Sequence, residues 1–324
     1  MLRAVVVFAL VLPAVAASGM PMNVAHRGYS AATPENTLTA ERRAFEVGAE
    51  MVELDLHKSS DGHVVVIHDD TVGRTTDSLA DDPVQSLTLS ELRALDAGYP
   101  DRFGSEFAGE QIPTLEEILQ EAKGSGPLLL DQKSSLLFGV EIAAALATTA
   151  FPLDQVWVTA WNEVQVADIQ LHVPSARILW TQGIPPIWEA DIENFLDLME
   201  TLGVDGISLV FENYSFYAPG LALATQERGL LAFAWDYEQI PQTPERMQAA
   251  IDIGLDGYIV NDPETFANII PEPGTLLLVG VNLAVLSLIS RRDRDRGRCR
   301  VRGRSPRKAV ASPGSVRSIS SVWR

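Results

Sequence analysis

The stretch Glu53–Asp70 reads E-L-D-L-H-K-S-S-D-G-H-V-V-V-I-H-D-D. It begins with an apolar run that contains two carboxylates. A polar turn follows, and then a second run that is rich in β-branched residues. Only seven residues separate Leu56 from Val64, which is too few for a crossover to a parallel strand. Asp61-Gly62 is a dipeptide that favours a two-residue turn in a β-hairpin. The pattern therefore predicts that Val64–Ile67 folds back antiparallel on the strand before it.

The register of this hairpin decides which side chains lie side by side. With Asp61-Gly62 as the loop, Asp55 lies opposite His68, and Glu53 lies opposite Asp70. Directly paired residues share a face of the sheet, and so do residues two apart on one strand. A one-residue bulge would shift this register. The prediction is a cluster of two carboxylates and one histidine at the end of the strand.

Similar short apolar runs recur along the chain and alternate with helix-length amphipathic segments. The candidate strands are Asn23–Ala25, Met51–Leu56, Leu128–Asp131, Gln155–Ala160, Arg177–Trp180, Gly206–Val210, Leu230–Trp235 and Gly257–Val260. This order predicts an α/β fold, a single (β/α)8 TIM barrel with the β-hairpin and a helical insertion after strand two. A doubly wound open sheet is the alternative, but it normally has fewer strands and often a glycine-rich phosphate loop, which we do not find in the sequence.

The connection between strands two and three is too long for a simple barrel loop. It contains two capping boxes, Thr88-Leu89-Ser90-Glu91 and Thr114-Leu115-Glu116-Glu117, and each is typical of a helix start. We therefore predict that residues 70–126 form an insertion on the catalytic face of the barrel.

Carboxylates stand at the ends of two neighbouring strands, where barrel enzymes carry their active sites. Glu53 and Asp55 come from strand two, and Asp131 ends strand three. Neighbouring carboxylates repel one another, so they stay ionised together only when a cation lies between them. Because carboxylate oxygens are hard ligands, the cluster predicts a site for Mg²⁺ or Ca²⁺.

Basic side chains surround this cluster. His26 ends strand one, His68 follows the hairpin, and Arg27 and Lys133 stand next to strand ends. Cationic groups can hold a phosphate, and two histidines can transfer protons on either side of it. The set therefore predicts a site for a phosphate ester.

A series of short motifs contains these residues. The motifs are Ala25-His26-Arg27-Gly28, Pro34-Glu35-Asn36-Thr37, Glu53-Leu54-Asp55, Asp61-Gly62, His68-Asp69, Arg74-Thr75-Thr76-Asp77, Ile112-Pro113-Thr114-Leu115-Glu116-Glu117, Trp235 and Gly254-Leu255-Asp256-Gly257. In their order and spacing they resemble the glycerophosphodiester phosphodiesterase family over about residues 23–266. The resemblance implies a TIM barrel that hydrolyses glycerophosphodiesters to glycerol 3-phosphate and an alcohol, with one divalent cation, Ca or Mg.

The resemblance also implies a role for each site residue. The metal ligands would be Glu53, Asp55 and Asp131. The catalytic acid–base pair would be His26 and His68. Contacts with phosphate or substrate would come from Arg27, Lys133 and Trp235. Two alternatives remain open. The same barrel could act like a phospholipase D on lysophospholipids or sphingolipids, or the protein could be a non-catalytic, anchored surface protein that binds ligands.

Three segments depart from the family pattern. The family usually has Glu-x-Lys where this chain has Asp131-Gln132-Lys133. It tends to have Thr-Val-Asn after the tryptophan, where this chain has Asp236-Tyr237-Glu238, and Thr-Asp where the last strand here ends in Val260-Asn261. These differences leave the catalytic set intact and bear on the metal distance and on substrate preference.

Several polar neighbours have simpler interpretations. His57 and His63 flank the hairpin turn and are predicted to be exposed strand residues. Asn36 is predicted to cap the first helix, and Glu35 to assist the site or to favour the helix dipole. Asp69 is predicted to fix its loop.

The charge of the chain is uneven. The net charge is −18, but residues from Arg291 onward include twelve Lys or Arg and only two Asp or Glu. The rest is therefore strongly acidic, which argues against a nucleic-acid partner bound through counterion release. The single cysteine, Cys299, rules out an intramolecular disulfide bond.

Both ends of the chain contain candidate targeting segments. Met1–Ala17 has a basic start, an apolar run and Ala14-Val15-Ala16, which is typical of a signal peptide. Near the other end, Pro271-Glu272-Pro273, the apolar segment Thr275–Ser290 and then Arg291-Arg292 resemble the PEP-CTERM sorting signal of exported bacterial proteins.

The predicted organisation follows from these segments. Residues 1–17 are a signal peptide, 18–268 the barrel, 271–292 the sorting signal and 293–324 a basic, disordered tail. The resemblance implies export to the periplasm or cell surface, membrane anchoring at least transiently through residues 275–290, and a sorting protease as a partner.

Overall fold

The computed structural model describes residues 20–133, 136–182 and 187–270. The predicted signal peptide, sorting signal and tail lie outside these residues. Within them, no helix is both long enough and apolar enough to cross a membrane.

Eight parallel strands close into a barrel. With the antiparallel strand of the hairpin, β3, the described residues form nine strands: β1 (Met22–His26), β2 (Met51–Lys58), β3 (Val64–Val66), β4 (Leu128–Gln132), β5 (Val156–Ala160), β6 (Arg177–Gln182), β7 (Gly206–Val210), β8 (Leu231–Trp235) and β9 (Gly257–Val260). All except β3 pair in parallel, and β1 pairs with both β2 and β9. This closure confirms the predicted TIM barrel and excludes an open sheet.

The helices form an outer ring and part of the predicted insertion. They are α1 (Leu38–Glu46), α2 (Leu89–Leu92), α3 (Pro100–Phe103), α4 (Leu115–Glu121), α5 (Gly139–Thr149), α6 (Glu163–His172), α7 (Ile192–Leu202), α8 (Leu221–Glu227), α9 (Pro244–Ile253) and α10 (Pro263–Ile269). Both capping boxes form, at Thr88 and Thr114. Because α4 packs against α1 and α5, it belongs to the barrel ring, and the insertion ends before it.

The β2–β3 hairpin has a different register from the predicted one. Leu56 pairs with Val66, and the N–H of Ile67 donates to the carbonyl of Asp55. Asp55 is therefore not opposite His68, and β3 ends before that histidine. The loop of the hairpin has three residues, not the two that were predicted.

The side chain of Ser59 explains the shift. Its hydroxyl donates to the Asp61 carboxylate at 2.7 Å and accepts from the His63 N–H at 2.9 Å. A three-residue loop results, in which only Gly62 has a positive φ, of +89°. A two-residue type I′ turn would also need a positive φ at Asp61, which is costly for a residue with a Cβ atom.

The alternation of side chains along the strands places polar residues at the mouth of the barrel. An apolar cluster from the strands includes Val24, Met51 and Leu129. Side chains alternate along a strand, so residues two positions further point to the same side. Those residues are His26, Glu53 and Asp131, which line one cavity. His26 ends β1, Asp131 is next to last in β4, and Glu53 pairs with His26 before β2 continues into the hairpin.

The buried face of α1 contains one carboxylate without a hydrogen-bond partner among the described residues. Glu41 is fully buried, and its burial and the nearby Glu121 raise its pKa to about 9. The folded protein then binds a proton that the unfolded chain releases above its ordinary pKa of 4.5. The contribution of Glu41 to stability is therefore full below that value and is lost as the pH rises towards 9.

We expect Glu41→Gln to remove this pH dependence. At about pH 8.5 the variant should be more stable than the wild type by about 2–4 kcal/mol, and at about pH 5.5 by only about 1 kcal/mol. Chemical denaturation at the two pH values measures both differences. The exposed Glu46→Gln on the same helix is the control, and equal differences at both pH values would contradict the expectation.

Candidate active site

Three carboxylates meet at the mouth of the barrel. One oxygen atom from each of Glu53, Asp55 and Asp131 lies within 4.8 Å of the other two, and all three residues are buried. The parallel register of β2 and β4 explains this, because it puts Asp131 directly beside Asp55. The structure thus brings the three predicted metal ligands together.

The electrostatics of the cluster fit a hard divalent cation. Burial, Asp55 and Asp131 raise the pKa of Glu53 well above its usual value. The Lys133 ammonium lies 3.2 Å from Asp55 Oδ1 and 2.6 Å from Asp131 Oδ2. Although burial opposes it, this charge and that of Arg27 hold the pKa of Asp55 well below its usual range. Asp55 Oδ1 is buried and faces the Lys133 ammonium without accepting a hydrogen bond from it, so this oxygen keeps a lone pair that a divalent cation would use.

Asp131 is also held from the β5 side of the site. Its Oδ1 atom accepts hydrogen bonds from the Thr159 hydroxyl and from the Trp161 indole N–H, the latter at 3.0 Å. The Lys133 ammonium lies over the Trp161 ring, 5.7 Å from its centroid. Trp161 is therefore part of the site, although the sequence pattern did not single it out.

Both predicted catalytic histidines line one cavity of about 370 Å³, with Lys133 and Trp235. His26 Nδ1 lies 2.6 Å from Asn261 Oδ1, and His26 Nε2 lies 3.9 Å from a Glu53 oxygen. Burial and the neighbouring Arg27 lower the pKa of His26 to about 4. Both histidines line this cavity even though the predicted pairing in the hairpin was wrong.

His68 has a charged partner. Its Nδ1 atom lies 2.6 Å from Asp69 Oδ1, and Arg74 donates to both oxygens of Asp69 at 2.6 and 2.9 Å. Burial alone would raise the pKa of Asp69, but the hydrogen bonds from His68 and Arg74 hold it below its usual range. Asp69 therefore contacts the imidazole ring directly, which goes beyond its predicted role in fixing a loop.

Arg27 is surrounded by carboxylates. It is buried, its Nη1 atom donates to Glu35 at 2.8 Å and also to Glu238, and its Nε atom lies 3.3 Å from Asp55. Its backbone N–H donates to Glu53 at 3.0 Å. Arg27 therefore holds the acidic cluster in place, and its guanidinium also lines the cavity.

The chain must turn sharply after β1 to bring Arg27 into this position. Arg27 has a φ of +57° and Gly28 one of +77°. A Cβ atom on Gly28 would lie 2.5–2.7 Å from backbone and side-chain atoms of Ala40. Glycine is therefore required at this turn by both its conformation and its close approach to α1.

Comparison with known proteins places this site in a family. Residues 26–136 match the sequence profile of the glycerophosphoryl diester phosphodiesterase family. A glycerophosphodiester phosphodiesterase of Caldanaerobacter subterraneus subsp. tengcongensis is 34% identical over 260 residues, which are 78% of this chain and 98% of the relative. The chain belongs to the glycerophosphodiester phosphodiesterase family. The membership confirms the family and the enzyme class predicted from the sequence.

Another relative and two solved structures extend this likeness. One from Bacillus subtilis is 26% identical over 76% of this chain and 85% of its own. A phosphodiesterase from Oleispira antarctica, solved in complex with the product sn-glycerol 3-phosphate, is 25% identical with a TM-score of 0.65 over 77% of this chain and 96% of its own. A family structure from Thermotoga maritima has the same fold, with a TM-score of 0.59 at 24% identity over 78% of this chain and 99% of its own.

Two predictions for neighbouring residues were wrong. Thr37, not Asn36, caps α1 by accepting from the Ala40 N–H. Asn36 instead donates to Asp55 Oδ2 at 2.7 Å and accepts from the Asp55 N–H at 3.1 Å. His57 is buried, with Nε2 at 3.1 Å from the backbone oxygen of His68, because β2 is covered along its whole length.

The other two neighbours fit their predictions. His63 is exposed at the hairpin. Glu35 assists the site, since it accepts hydrogen bonds from both Arg27 and Arg74. Although burial opposes it, these hydrogen bonds hold the pKa of Glu35 below its usual value.

Proposed function

We propose that this protein hydrolyses glycerophosphodiesters to glycerol 3-phosphate and an alcohol, with one divalent cation, Ca²⁺ or Mg²⁺. The observation that carries the proposal is the buried triad Glu53, Asp55 and Asp131 in a cavity that His26 and His68 also line. Family membership supports the reaction class. The product complex of the relative from Oleispira antarctica supports the choice of product.

The hydrogen bonds of the two histidines favour different roles. Asn261 Oδ1 only accepts, so His26 carries its proton on Nδ1 and has a lone pair on Nε2. His26 is therefore suited to act as the general base. Asp69 Oδ1 lies 2.6 Å from His68 Nδ1 and orients the imidazole ring, and we propose that His68 gives a proton to the leaving alcohol.

The remaining residues act on the charge of the substrate. Glu53, Asp55 and Asp131 would hold the cation, which when bound neutralises charge on the phosphoryl oxygens. Lys133 and Arg27 add positive charge at the cavity wall and are proposed to contact the phosphate. Trp235 lines the same cavity and is proposed to contact the carbon atoms of the substrate.

Asp69→Asn tests the positioning of His68. The variant keeps the shape of the side chain but removes the carboxylate charge beside the imidazole ring. We expect kcat to fall by about 10- to 100-fold with little change in KM, because a proton donor that is poorly oriented acts less well in the transition state. The neighbouring Asp70→Asn is the control, because Asp70 is exposed. An unchanged kcat, or a loss that appears only in KM, would show that Asp69 does not position His68.

A substrate panel tests the reaction. We expect the purified protein to release glycerol 3-phosphate from glycerophosphocholine, glycerophosphoethanolamine and glycerophosphoglycerol with Ca²⁺ or Mg²⁺, and to lose the activity in EDTA. Binding of these compounds without turnover under every metal condition would instead favour a non-catalytic binding protein.

We also propose that the protein is exported and anchored at least transiently through residues 275–290. The support is the sequence of the two termini, with a signal-peptide pattern and a PEP-CTERM-like pattern. Fractionation of cells that express the chain tests this proposal. Recovery of the full-length chain from the cytoplasm would contradict it.

A further inference from the structure

The two oxygen atoms of the Asp131 carboxylate have different partners. Its Oδ1 atom accepts hydrogen bonds from the Thr159 hydroxyl and from the Trp161 indole N–H, the latter at 3.0 Å. A carboxylate oxygen has two lone pairs, so these two donors leave none on Oδ1 for a metal ion. The Oδ2 atom lies instead 2.6 Å from the Lys133 ammonium. We call the pair of donors, Thr159 and Trp161, the Oδ1 clamp.

Hydrogen bonds fix the Oδ1 clamp to the barrel. Thr159 is buried within β5, and Trp161 directly follows that strand. The backbone N–H of Trp161 donates to Gln165 Oε1 at 2.8 Å, and the backbone N–H of Gln165 donates to Asn162 Oδ1 at 3.0 Å. Gln165 belongs to α6 and is fully buried. Both donors are therefore held in place by the strand and the helix that follows it.

The other two carboxylates of the triad are also held through one oxygen. Asp55 Oδ2 accepts a hydrogen bond from the Asn36 amide at 2.7 Å, and Glu53 Oε2 accepts one from the Arg27 N–H at 3.0 Å. The Asp55 Oδ1 atom lies 3.2 Å from the Lys133 ammonium, the same group that Asp131 Oδ2 faces. Protein donors thus take one oxygen of each carboxylate and leave the other to a cation.

The number of oxygens that a carboxylate offers affects the choice of metal ion. Mg²⁺ is small and requires near-ideal octahedral geometry, so single, well-placed oxygens suit it. Ca²⁺ is larger, takes about six to eight oxygens in a flexible arrangement and can bind both oxygens of one carboxylate. Because the Oδ1 clamp fixes Oδ2 and withholds Oδ1, it favours Mg²⁺ relative to Ca²⁺.

We propose that the Oδ1 clamp determines the ion specificity of the metal site: Thr159 and Trp161 restrict Asp131 to one oxygen ligand and thereby raise the preference for Mg²⁺ over Ca²⁺. The inference rests on the proposed function, in which the triad holds the cation. Thr159 and Trp161 are positioning residues in this role, because they act through Asp131.

Trp161→Phe removes the indole N–H and keeps an aromatic ring beside the Lys133 ammonium. Loss of a hydrogen bond to a metal ligand weakens metal binding about 10- to 100-fold. We expect the dissociation constant for Mg²⁺ to rise at least about tenfold and that for Ca²⁺ to change less than about twofold, because Ca²⁺ can use the released oxygen. The ratio of the Mg²⁺ constant to the Ca²⁺ constant should therefore rise at least about fivefold. Calorimetric titration of the full chain with each metal ion alone measures both constants.

Thr159→Val tests the same oxygen through the other donor. Valine keeps the shape of the side chain without the hydroxyl, so the ratio should rise as it does in Trp161→Phe, whereas Thr159→Ser keeps the hydroxyl and the wild-type ratio. The matched controls are Thr181→Val, equally buried in the next strand, β6, and Trp188→Phe, whose ring packs against Tyr217. Both controls should bind the two ions as the wild type does. Thermal unfolding without metal ion checks that each variant is folded.

The titrations separate a failure of the inference from a failure of the proposed function. A ratio that rises less than about fivefold in Trp161→Phe, including an equal weakening of both ions, contradicts the role of the Oδ1 clamp and leaves the proposed function standing. If Trp161→Phe does not fold, Thr159→Val decides by the same criterion. Wild-type protein that binds neither Mg²⁺ nor Ca²⁺ contradicts the proposed metal-dependent reaction and removes the basis of the inference.

Discussion

We expect His68→Ala to lower kcat for glycerophosphocholine by about 10²- to 10⁴-fold and to leave KM within a few-fold, because we propose His68 as a general acid, which acts mainly in the transition state. The imidazole of His68 lines the cavity beside the carboxylate triad and is oriented by Asp69. Steady-state kinetics with excess metal ion measure the effect. Alanine removes the proposed proton donor and its contact with Asp69.

His26→Ala has an effect of similar size for a different reason. Its removal eliminates the unprotonated Nε2 atom that we propose as the base, while the carboxylate triad stays in place. The two single variants should differ in pH dependence, because the acid and the base titrate on opposite limbs of the rate profile. His63→Ala is the control, since His63 is exposed at the hairpin. Near-normal kcat in either variant would exclude that histidine from catalysis.

We expect Glu53→Gln to abolish the proposed response to metal ion. Gln keeps the size of the side chain but removes one of three buried charges, so we expect the metal dissociation constant to rise at least about 100-fold. Binding of Ca²⁺ or Mg²⁺ at about 100 times its dissociation constant should stabilise the wild type by about 2.7 kcal/mol, and the variant hardly at all. Thermal unfolding with and without metal ion measures this difference.

The same substitution has the opposite effect without metal. Burial and the neighbouring acids raise the pKa of Glu53, so the metal-free protein must take up a proton there as it folds. This contribution to stability is lost as the pH rises through the raised pKa, and Gln does not titrate. Metal-free Glu53→Gln should therefore unfold at a higher temperature than the wild type at about pH 8. The exposed Glu227→Gln should follow the wild type in both conditions. A lower unfolding temperature for metal-free Glu53→Gln would contradict the assignment.

Strand periodicity was the feature that made much of the barrel and site predictable. Glu53 and Asp131 stand two residues beyond Met51 and Leu129, and both pairs follow the alternation of a strand that faces the barrel interior. The ends of parallel strands meet at one edge, so polar residues there collect into one site. This reasoning needs only local patterns, and the carboxylates of Glu53, Asp55 and Asp131 lie together as expected.

The hairpin register was not predictable in the same way. It depends on hydrogen bonds that the Ser59 hydroxyl makes with Asp61 and His63, and these choose a three-residue loop. His68 still reaches the cavity because it lies beyond the end of β3 and is oriented by Asp69. The prediction therefore reached the right cluster through a wrong pairing.

Asn36 was missed because its partner is distant in the sequence. An Asn before a helix is a good cap by itself, but Thr37 takes that role, and Asn36 has a φ of +59° that turns its amide towards Asp55. No local pattern reveals a contact between residues 19 positions apart on different elements. In the sequence, Asn261 stands out only as a departure from the family pattern. Its contact with His26 depends on the pairing of β9 with β1, which brings together residues from the two ends of the barrel.

Two departures from the family pattern, Asp131 and Asn261, lie at the active site. Asp131 is one methylene shorter than the usual glutamate, and the Thr159 hydroxyl and the Trp161 indole both hold its Oδ1 atom. Asn261 provides an acceptor to His26 without a negative charge, whereas Asp69 provides a charged one to His68. These two partners set the histidines in different environments, and for this reason we propose one as base and the other as acid.

The most direct test of the account is the metal dependence of product formation. Protein stripped of metal ion is incubated with glycerophosphocholine, and sn-glycerol 3-phosphate is measured before and after addition of Ca²⁺ or Mg²⁺. The account predicts no product without the ion, and saturable production of glycerol 3-phosphate with it that Glu53→Gln lacks. Equal rates with and without metal ion, or no glycerol 3-phosphate with either ion, would contradict it.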